Sequence, residues 1–233
     1  MIKSFSAMIL AAGYGKRMLS LTNEIPKPLI KVDNISLLKN SVDFLSKIGC
    51  EKIVINTHYK HDLISNFIHE NYYNYNIKIS YEKNILDTGG GVKNAMKLFD
   101  DENIIVTNSD IFWKKENEID VINLVKNFDP KEECKLLLVD KDRFYGLINK
   151  SGAFSLVNNY VKRWKIGDRA LYYSGLQVIS LCILNDFNYS KFSFNDVWNV
   201  QIKKNALYGN LMQSKLYHVG DENGLKLAID SNT

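Results

Sequence analysis

Residues 8–30 read MILAAGYGKRMLSLTNEIPKPLI, and this stretch decides the fold. Ala7-Met8-Ile9-Leu10 is apolar without alternation, as expected of a strand buried on both faces in the centre of a parallel sheet. The chain leaves that strand through Ala11-Ala12-Gly13-Tyr14-Gly15, where missing side chains let backbone N–H groups approach an anion. Lys16 and Arg17 follow within a turn, and Lys27 arrives between Pro26 and Pro28. A strand end, small residues and two groups of cations in this order suit a polyphosphate. The alternative is an ordinary glycine turn flanked by solvated charge. The stretch lacks the third glycine of the dinucleotide fingerprint and the Gly-Lys-Ser/Thr ending of the P-loop.

The surrounding composition narrows the class. At 233 residues the chain can bury one sizeable core, and residues 1–233 read as a single domain. The first 140 residues would form a nucleotide-binding half, and 141–233 a half for the second substrate. No apolar run is long enough to span a membrane, and no secretory signal precedes the first strand. Cys50, Cys134 and Cys182 are odd in number and widely spaced, as expected of reduced thiols in a cytoplasmic protein. A net charge of +4, with lysines dispersed, gives no reason to expect nucleic-acid binding.

Helix and strand signals alternate through the first half. Leu38, Val42, Leu45 and Ile48 recur at helical spacing before Gly49, a natural stop. Lys52–Asn56 and Ile77–Tyr81 read as strands on either side of a helix carrying Leu63, Ile64, Phe67 and Ile68. Gly89-Gly90-Gly91 opens a helix with Val92, Met96 and Phe99. The next strand, Asn103–Thr107, runs into Asn108-Ser109-Asp110, and a helix through Val121–Phe128 precedes the strand Leu136–Val139. This rhythm predicts an α/β fold: a Rossmann-like, mixed but mostly parallel sheet flanked by helices. In the second half Tyr145–Ile148, Phe154–Val157 and Tyr172–Ser180 are expected to extend that sheet as a wall over the crevice. Phe194–Lys203 follows as a helix capped by Ser193, then a strand Lys215–Gly220 and a helix Glu222–Ile229.

Asp110 falls at a strand's carboxyl end, where open α/β sheets bind ligands. One carboxylate beside phosphate oxygens suits Mg²⁺; the alternative is a turn-capping Asp. Three successive glycines at 89–91 suit a backbone lying close to a base or ribose, or else a plain surface turn. Lys162, Arg163 and Lys165 suit either a second phosphate or a solvated basic turn. Tyr172-Tyr173-Ser174-Gly175 could offer polar groups to a sugar or simply pack in a strand. His218 ends a late apolar strand and reads equally as a structural histidine, while His58, His61 and His69 read as surface residues. No nucleophile–base signature occurs.

Taken in order, these residues resemble the sugar-1-phosphate nucleotidyltransferases. The resemblance rests on Leu10-Ala11-Ala12-Gly13-Tyr14-Gly15-Lys16-Arg17-Met18, Thr22 and Pro26-Lys27-Pro28-Leu29. Leu86-Asp87-Thr88-Gly89-Gly90-Gly91 and Asn108-Ser109-Asp110 are similar to the branch of N-acetylmuramate 1-phosphate uridylyltransferases. Similarity continues through Tyr173–Gln177 and Phe192–Asn195, and so covers nearly the whole chain. It implies transfer of a nucleoside monophosphate, with uridylyl favoured over guanylyl or cytidylyl by branch alone, onto a sugar 1-phosphate. Arg17 and Lys27 would hold the triphosphate, and Asp110 would ligate Mg²⁺. Leu10, Ala11, Ala12, Gly13, Gly15, Glu82, Thr88 and Gly89 would surround the nucleotide. Asn108, Ser174, Gly175 and Asn195 would line the sugar side.

Two departures lie on the acceptor side. Where relatives carry Asp-Val-Gly-Thr, with a second metal-binding Asp, this chain has His218-Val219-Gly220-Asp221. Imidazole is a poorer Mg²⁺ ligand, so His218 would contact phosphate, join Asp110 around a softer ion such as Mn²⁺, or leave the metal to Asp110. The Glu-Lys pair that holds the acceptor phosphate is missing near Asn158-Asn159, so Lys162 or a neighbour would replace it. The alternatives are a nucleotide-sugar-binding or regulatory protein without turnover, and a transferase, such as a cytidylyltransferase, acting on a non-sugar phosphate.

Overall fold

Strand β1 (Phe5–Leu10) runs through the middle of the molecule, its side chains alternating between two cores. The computed structural model describes residues 5–147 and 153–231. Ala7 and Ile9 face one core and Met8 the other, all three fully buried. Burial of side chains as large as Met8 or Ile9 contributes about 1.5–3 kcal/mol each.

After β1 come a short helix α1 (Leu19–Thr22) and the two-residue strands β2 (Lys31–Val32) and β3 (Ile35–Ser36). Helix α2 (Leu37–Lys47) starts where the Ser36 hydroxyl accepts the Lys39 N–H, at 3.2 Å. It buries Leu38, Val42 and Leu45, and stops at Gly49, whose φ of +101° suits only glycine. Strand β4 (Cys50–Thr57), helix α3 (His61–Tyr72), strand β5 (Ile77–Tyr81), helix α4 (Asp87–Ala95) and strand β6 (Asn103–Asn108) follow the alternation read from the sequence. Then come β7 (Ile111–Phe112), α5 (Asn117–Lys126), β8 (Cys134–Asp140) and β9 (Phe144–Tyr145). The last third contains β10 (Phe154–Val157), β11 (Tyr160–Arg163), β12 (Leu171–Ser180), α6 (Phe194–Lys203), β13 (Leu207–Leu211), β14 (Leu216–His218) and α7 (Glu222–Asp230).

Among the described residues the main sheet has nine strands in the order β10-β11-β13-β8-β12-β6-β1-β4-β5. The block β6-β1-β4-β5 is parallel, and β12 enters antiparallel between β6 and β8. Helices α2, α3 and α5 cover one face, and α4 and α6 the other. A third cluster joins Met18, Val32, Leu37, Phe112, Tyr217 and Ala228 under α7.

One expectation needs correction. The segment at Tyr145 does not extend the main sheet; β9 pairs with β14, which in turn pairs with β7, in a separate three-stranded sheet, β7-β14-β9. Gly146 is the physical reason: with φ at +78° it turns the chain aside, and any Cβ there would overlap the His218 carbonyl. Ile148 lies outside the described residues. Asn158 and Asn159, both at positive φ, form the tight tip of the β10–β11 hairpin, a conformation Asn tolerates better than Glu or Lys.

Candidate active site

The carboxyl ends of β1, β4, β5 and β6 open into a cleft of about 510 Å³. Its lining includes Leu10, Ala11, Ala12, Gly13, Gly15, Arg17, Lys27, Glu82, Thr88, Asn108 and Asp110 from the sequence reading. Lys16, Asn56, Ile85, Asp87, Ser109, Lys191 and Gly220 join them. Gly89, Lys162, Ser174, Gly175, Asn195 and His218 lie outside that lining.

At one end the chain folds back on itself between Gly13 and Lys27. Gly15, at φ +67°, sits where a Cβ would come within 2.8 Å of the Thr22 methyl and 3.1 Å of Lys27 Cβ. The Met18 N–H donates to Gly15 O at 2.9 Å, and the Met18 side chain is fully buried in the third cluster. The motif's Met is therefore the anchor that leaves Lys16 and Arg17 at the cleft surface. Tyr59 Oη donates to Thr22 O at 3.0 Å, while Tyr14 Oη and His58 Nε2 lie 3.1 Å apart. His58 Nδ1 donates to Glu82 O at 2.8 Å, so this histidine, expected on the surface, ties the glycine turn to the end of β5.

Lys27 and Asp110 meet at the cleft floor. Lys27 Nζ lies 2.6 Å from Asp110 Oδ2, with both side chains largely buried, and His218 Nε2 is 3.3 Å from the same oxygen. Burial alone would raise the Asp110 pKa; the charges of Lys27 and His218 outweigh it and hold the carboxyl well below the usual carboxylate range. Asp110 Oδ1 is buried and has no hydrogen-bond partner among the described residues. Such an atom costs free energy unless a ligand or ion completes it. Backbone bonds fix the turn: Ser109 N–H donates to Leu10 O at 3.2 Å, and Val219 N–H to Asp110 O at 2.8 Å. His218 Nδ1 donates to Gly146 O at 3.2 Å, which aims Nε2 at Asp110.

The opposite end is held by Asn56, which has no place among the site residues expected from sequence, together with Glu82 and Thr88. Asn56 Oδ1 accepts the Ala11 N–H at 2.8 Å, and its Nδ2 donates to Glu82 Oε1 at 2.6 Å. Glu82 Oε2 accepts the Leu86 N–H at 3.0 Å. Asn56 thus satisfies the first amide of the glycine turn internally. The signal for it was present: a polar residue ending an apolar strand, as at Asp110. Thr88 Oγ1 accepts the Phe194 N–H at 2.8 Å, which leaves its own proton free to donate. Asp87 sits at φ +63°, unusual for a non-glycine residue, and its Oδ1 accepts the Thr88 N–H at 2.6 Å.

The three glycines of α4 face protein rather than open cleft. A Cβ on Gly89 would come 2.6 Å from the Phe192 ring, and one on Gly90 would overlap Ser190 O. On Gly91 it would lie 2.7 Å from Asn56 and Glu82 side-chain atoms. Segment 190–194 therefore docks onto the first turn of α4.

The residues expected on the sugar side have partners of their own. Ser174 is fully buried and accepts the Leu176 N–H at 3.2 Å. Gly175, at φ +91°, abuts Ile111 and lies beside Asn108. Asn195 Oδ1 accepts from Arg163 at 2.9 Å, and that guanidinium also reaches Asn199 and lies over the Phe154 ring. Lys162 is exposed on β11 opposite Ser155.

The cation-lined cleft lies at the carboxyl ends of the parallel strands, where open α/β sheets bind their ligands. A family model described as nucleotidyl transferase matches residues 6–160. The chain is 30% identical over 204 residues to the D-glycero-α-D-manno-heptose 1-phosphate guanylyltransferase of Campylobacter jejuni, covering 85% of this chain and 86% of that protein. It is 29% identical over 231 residues to the N-acetylmuramate α-1-phosphate uridylyltransferase of Caulobacter vibrioides, covering 97% and 95%. The inositol-1-phosphate CTP transferase of T. maritima superposes with a TM-score of 0.80 at 16% identity, covering 97% of this chain and 94% of that one, a likeness of fold. The chain belongs to the nucleotidyl transferase family, in the class of sugar-1-phosphate nucleotidylyltransferases.

Proposed function

We propose that this enzyme transfers a uridylyl group from UTP to a sugar 1-phosphate in the cytoplasm, releasing pyrophosphate. The observation that carries the transfer chemistry is Asp110: a buried carboxylate oxygen without a partner, beside Lys27, in a cleft lined by further cations. The choice of uridine rests on the branch motifs at 86–91 and 108–110 and on the near full-length match to the Caulobacter uridylyltransferase. Guanylyl transfer is the second reading, favoured by the Campylobacter relative.

The acceptor phosphate is already ionised, so the reaction needs positioning and charge neutralisation more than a strong base. Its oxygen bonds to the α-phosphorus of the nucleotide as the bond to the pyrophosphate oxygen breaks. Arg17 and Lys27 neutralise the leaving pyrophosphate, while Asn56 and Glu82 keep the glycine turn in place. Asp110 Oδ1 fits a divalent ion, while Oδ2 faces Lys27 and His218; Mg²⁺, or Mn²⁺, held at Oδ1 would neutralise phosphate charge. Pyrophosphate release measured with UTP, GTP, CTP and dTTP against a panel of sugar 1-phosphates, with each metal, tests the proposal. GTP turnover exceeding UTP turnover would replace uridylyl by guanylyl transfer. Nucleotide binding without turnover across the panel would sink the transfer reading.

A further inference from the structure

Four cationic side chains line the cleft, and only three belong to the glycine-turn segment. Lys27 is paired with Asp110, and Lys16 lies over the Tyr14 ring, its Nζ 5.4 Å from the centroid. Arg17 shares their segment. The fourth cation, Lys191, arrives from more than a hundred residues away and forms no ion pair with a described residue.

Its position is built, not incidental. Phe192 N–H donates to Leu86 O at 3.1 Å, Gly90 N–H to Phe192 O at 2.9 Å, and Phe194 N–H to Thr88 Oγ1 at 2.8 Å. The Phe192 ring stacks on Phe187 with centroids 4.5 Å apart, meets Tyr189 edge-on and abuts Gly89. The glycines at 89 and 90 are the socket for this strap, and the strap presents Lys191 to the cleft.

The two groups of cations are carried by segments with different anchors. Met18 anchors the glycine-turn segment against Leu37 of α2, whereas Phe192 joins the core under α4 and α6. An in-line displacement places the attacking oxygen and the leaving oxygen on opposite sides of the α-phosphorus. With the leaving pyrophosphate assigned to Arg17 and Lys27, and Lys16 lying over Tyr14, Lys191 is the cleft-lining cation among the described residues left to meet the acceptor. We infer that Lys191 holds the phosphate of the acceptor, in place of the exposed Lys162 and of Arg163, which is already bound to Asn195 and Asn199. There it offsets the repulsion between two phosphates brought within reacting distance.

This assignment rests on the transfer reading above, and the test separates the two. Initial rates are measured with UTP plus N-acetylmuramate α-1-phosphate and with GTP plus D-glycero-α-D-manno-heptose 1-phosphate. Wild type, Lys191→Met, Lys191→Arg and Lys162→Met are compared on whichever pair turns over. Loss of a charge-assisted hydrogen bond should raise the acceptor KM of Lys191→Met about tenfold or more, leave the nucleotide KM within about twofold, and be largely reversed in Lys191→Arg. An unchanged acceptor KM in Lys191→Met, a loss confined to the nucleotide KM, or the same defect in Lys162→Met instead overturns the assignment. Wild type inactive with both pairs and with the wider panel overturns the transfer reading itself.

Discussion

Gly90→Ala should destabilise the protein although it replaces a helical glycine by the best helix former. Propensity favours the change by about 0.8–1 kcal/mol. Against this, the new Cβ would overlap Ser190 O, and the carbonyl must retreat by about an ångström to reach an ordinary contact. Overpacking of this kind costs about 1–3 kcal/mol. Retreat of the strap also strains two backbone hydrogen bonds, Gly90 N–H to Phe192 O and Phe192 N–H to Leu86 O. Each is worth about 1 kcal/mol net. The balance is a loss of about 2–3 kcal/mol, or a fall in Tm of about 4–12 °C for a chain of this size. Urea unfolding followed by circular dichroism measures it, with Gly13→Ala as comparator. Nothing lies within 4 Å of a Cβ at Gly13, so that change should shift stability by less than about 0.5 kcal/mol. If Gly90→Ala is as stable as wild type, the glycines are not a socket and the reasoning fails.

Asp110→Asn and Lys27→Met should each cost about 3 kcal/mol, and the double variant less than their sum, because either single change leaves a buried charge unpaired. Unfolding curves of the four proteins give the coupling, and strict additivity would contradict it. Asn56→Ala orphans the Ala11 N–H and one contact of Glu82, so a loss of about 2 kcal/mol is expected, with a raised nucleotide KM. Unaltered KM would show that the glycine turn keeps its shape without Asn56. Thr88→Val removes the acceptor for the Phe194 N–H and should cost about 1 kcal/mol, whereas Thr88→Ser should not. Thermal unfolding of the pair distinguishes a hydroxyl effect from a packing effect.

Where the sequence was readable, the information was local. The alternation of Ala7, Met8 and Ile9 between two cores, the helical spacing of Leu38, Val42 and Leu45, and Gly49 as a stop all depend on neighbours within a few residues. Asp110 was legible because a carboxylate ending an apolar strand has few other places to go. Asn56 carries the same signal, yet its partner Glu82 emerges only when β5 lies beside β4. What fills the space beside Gly89 and Gly90 cannot be read from sequence, because it is Phe192 and Ser190, a hundred residues on. Lys191 has no local signature at all. The β7-β14-β9 sheet leaves no trace in the sequence, since strands of two or three residues carry no periodicity.

The insertion of β12 between β6 and β8 has a kinetic side. A chain emerging from the ribosome through residue 140 would already contain every residue of the glycine turn, the Lys27 ammonium and the Asp110 carboxylate. It would still lack the strand that separates β6 from β8 and the Val219 amide that fixes the Asp110 carbonyl. Closing loops of that length is slow, and its entropy is recovered only at the end. Nucleotide affinity thus becomes a late event in the folding of this chain, and a bound triphosphate selects molecules whose last third has docked.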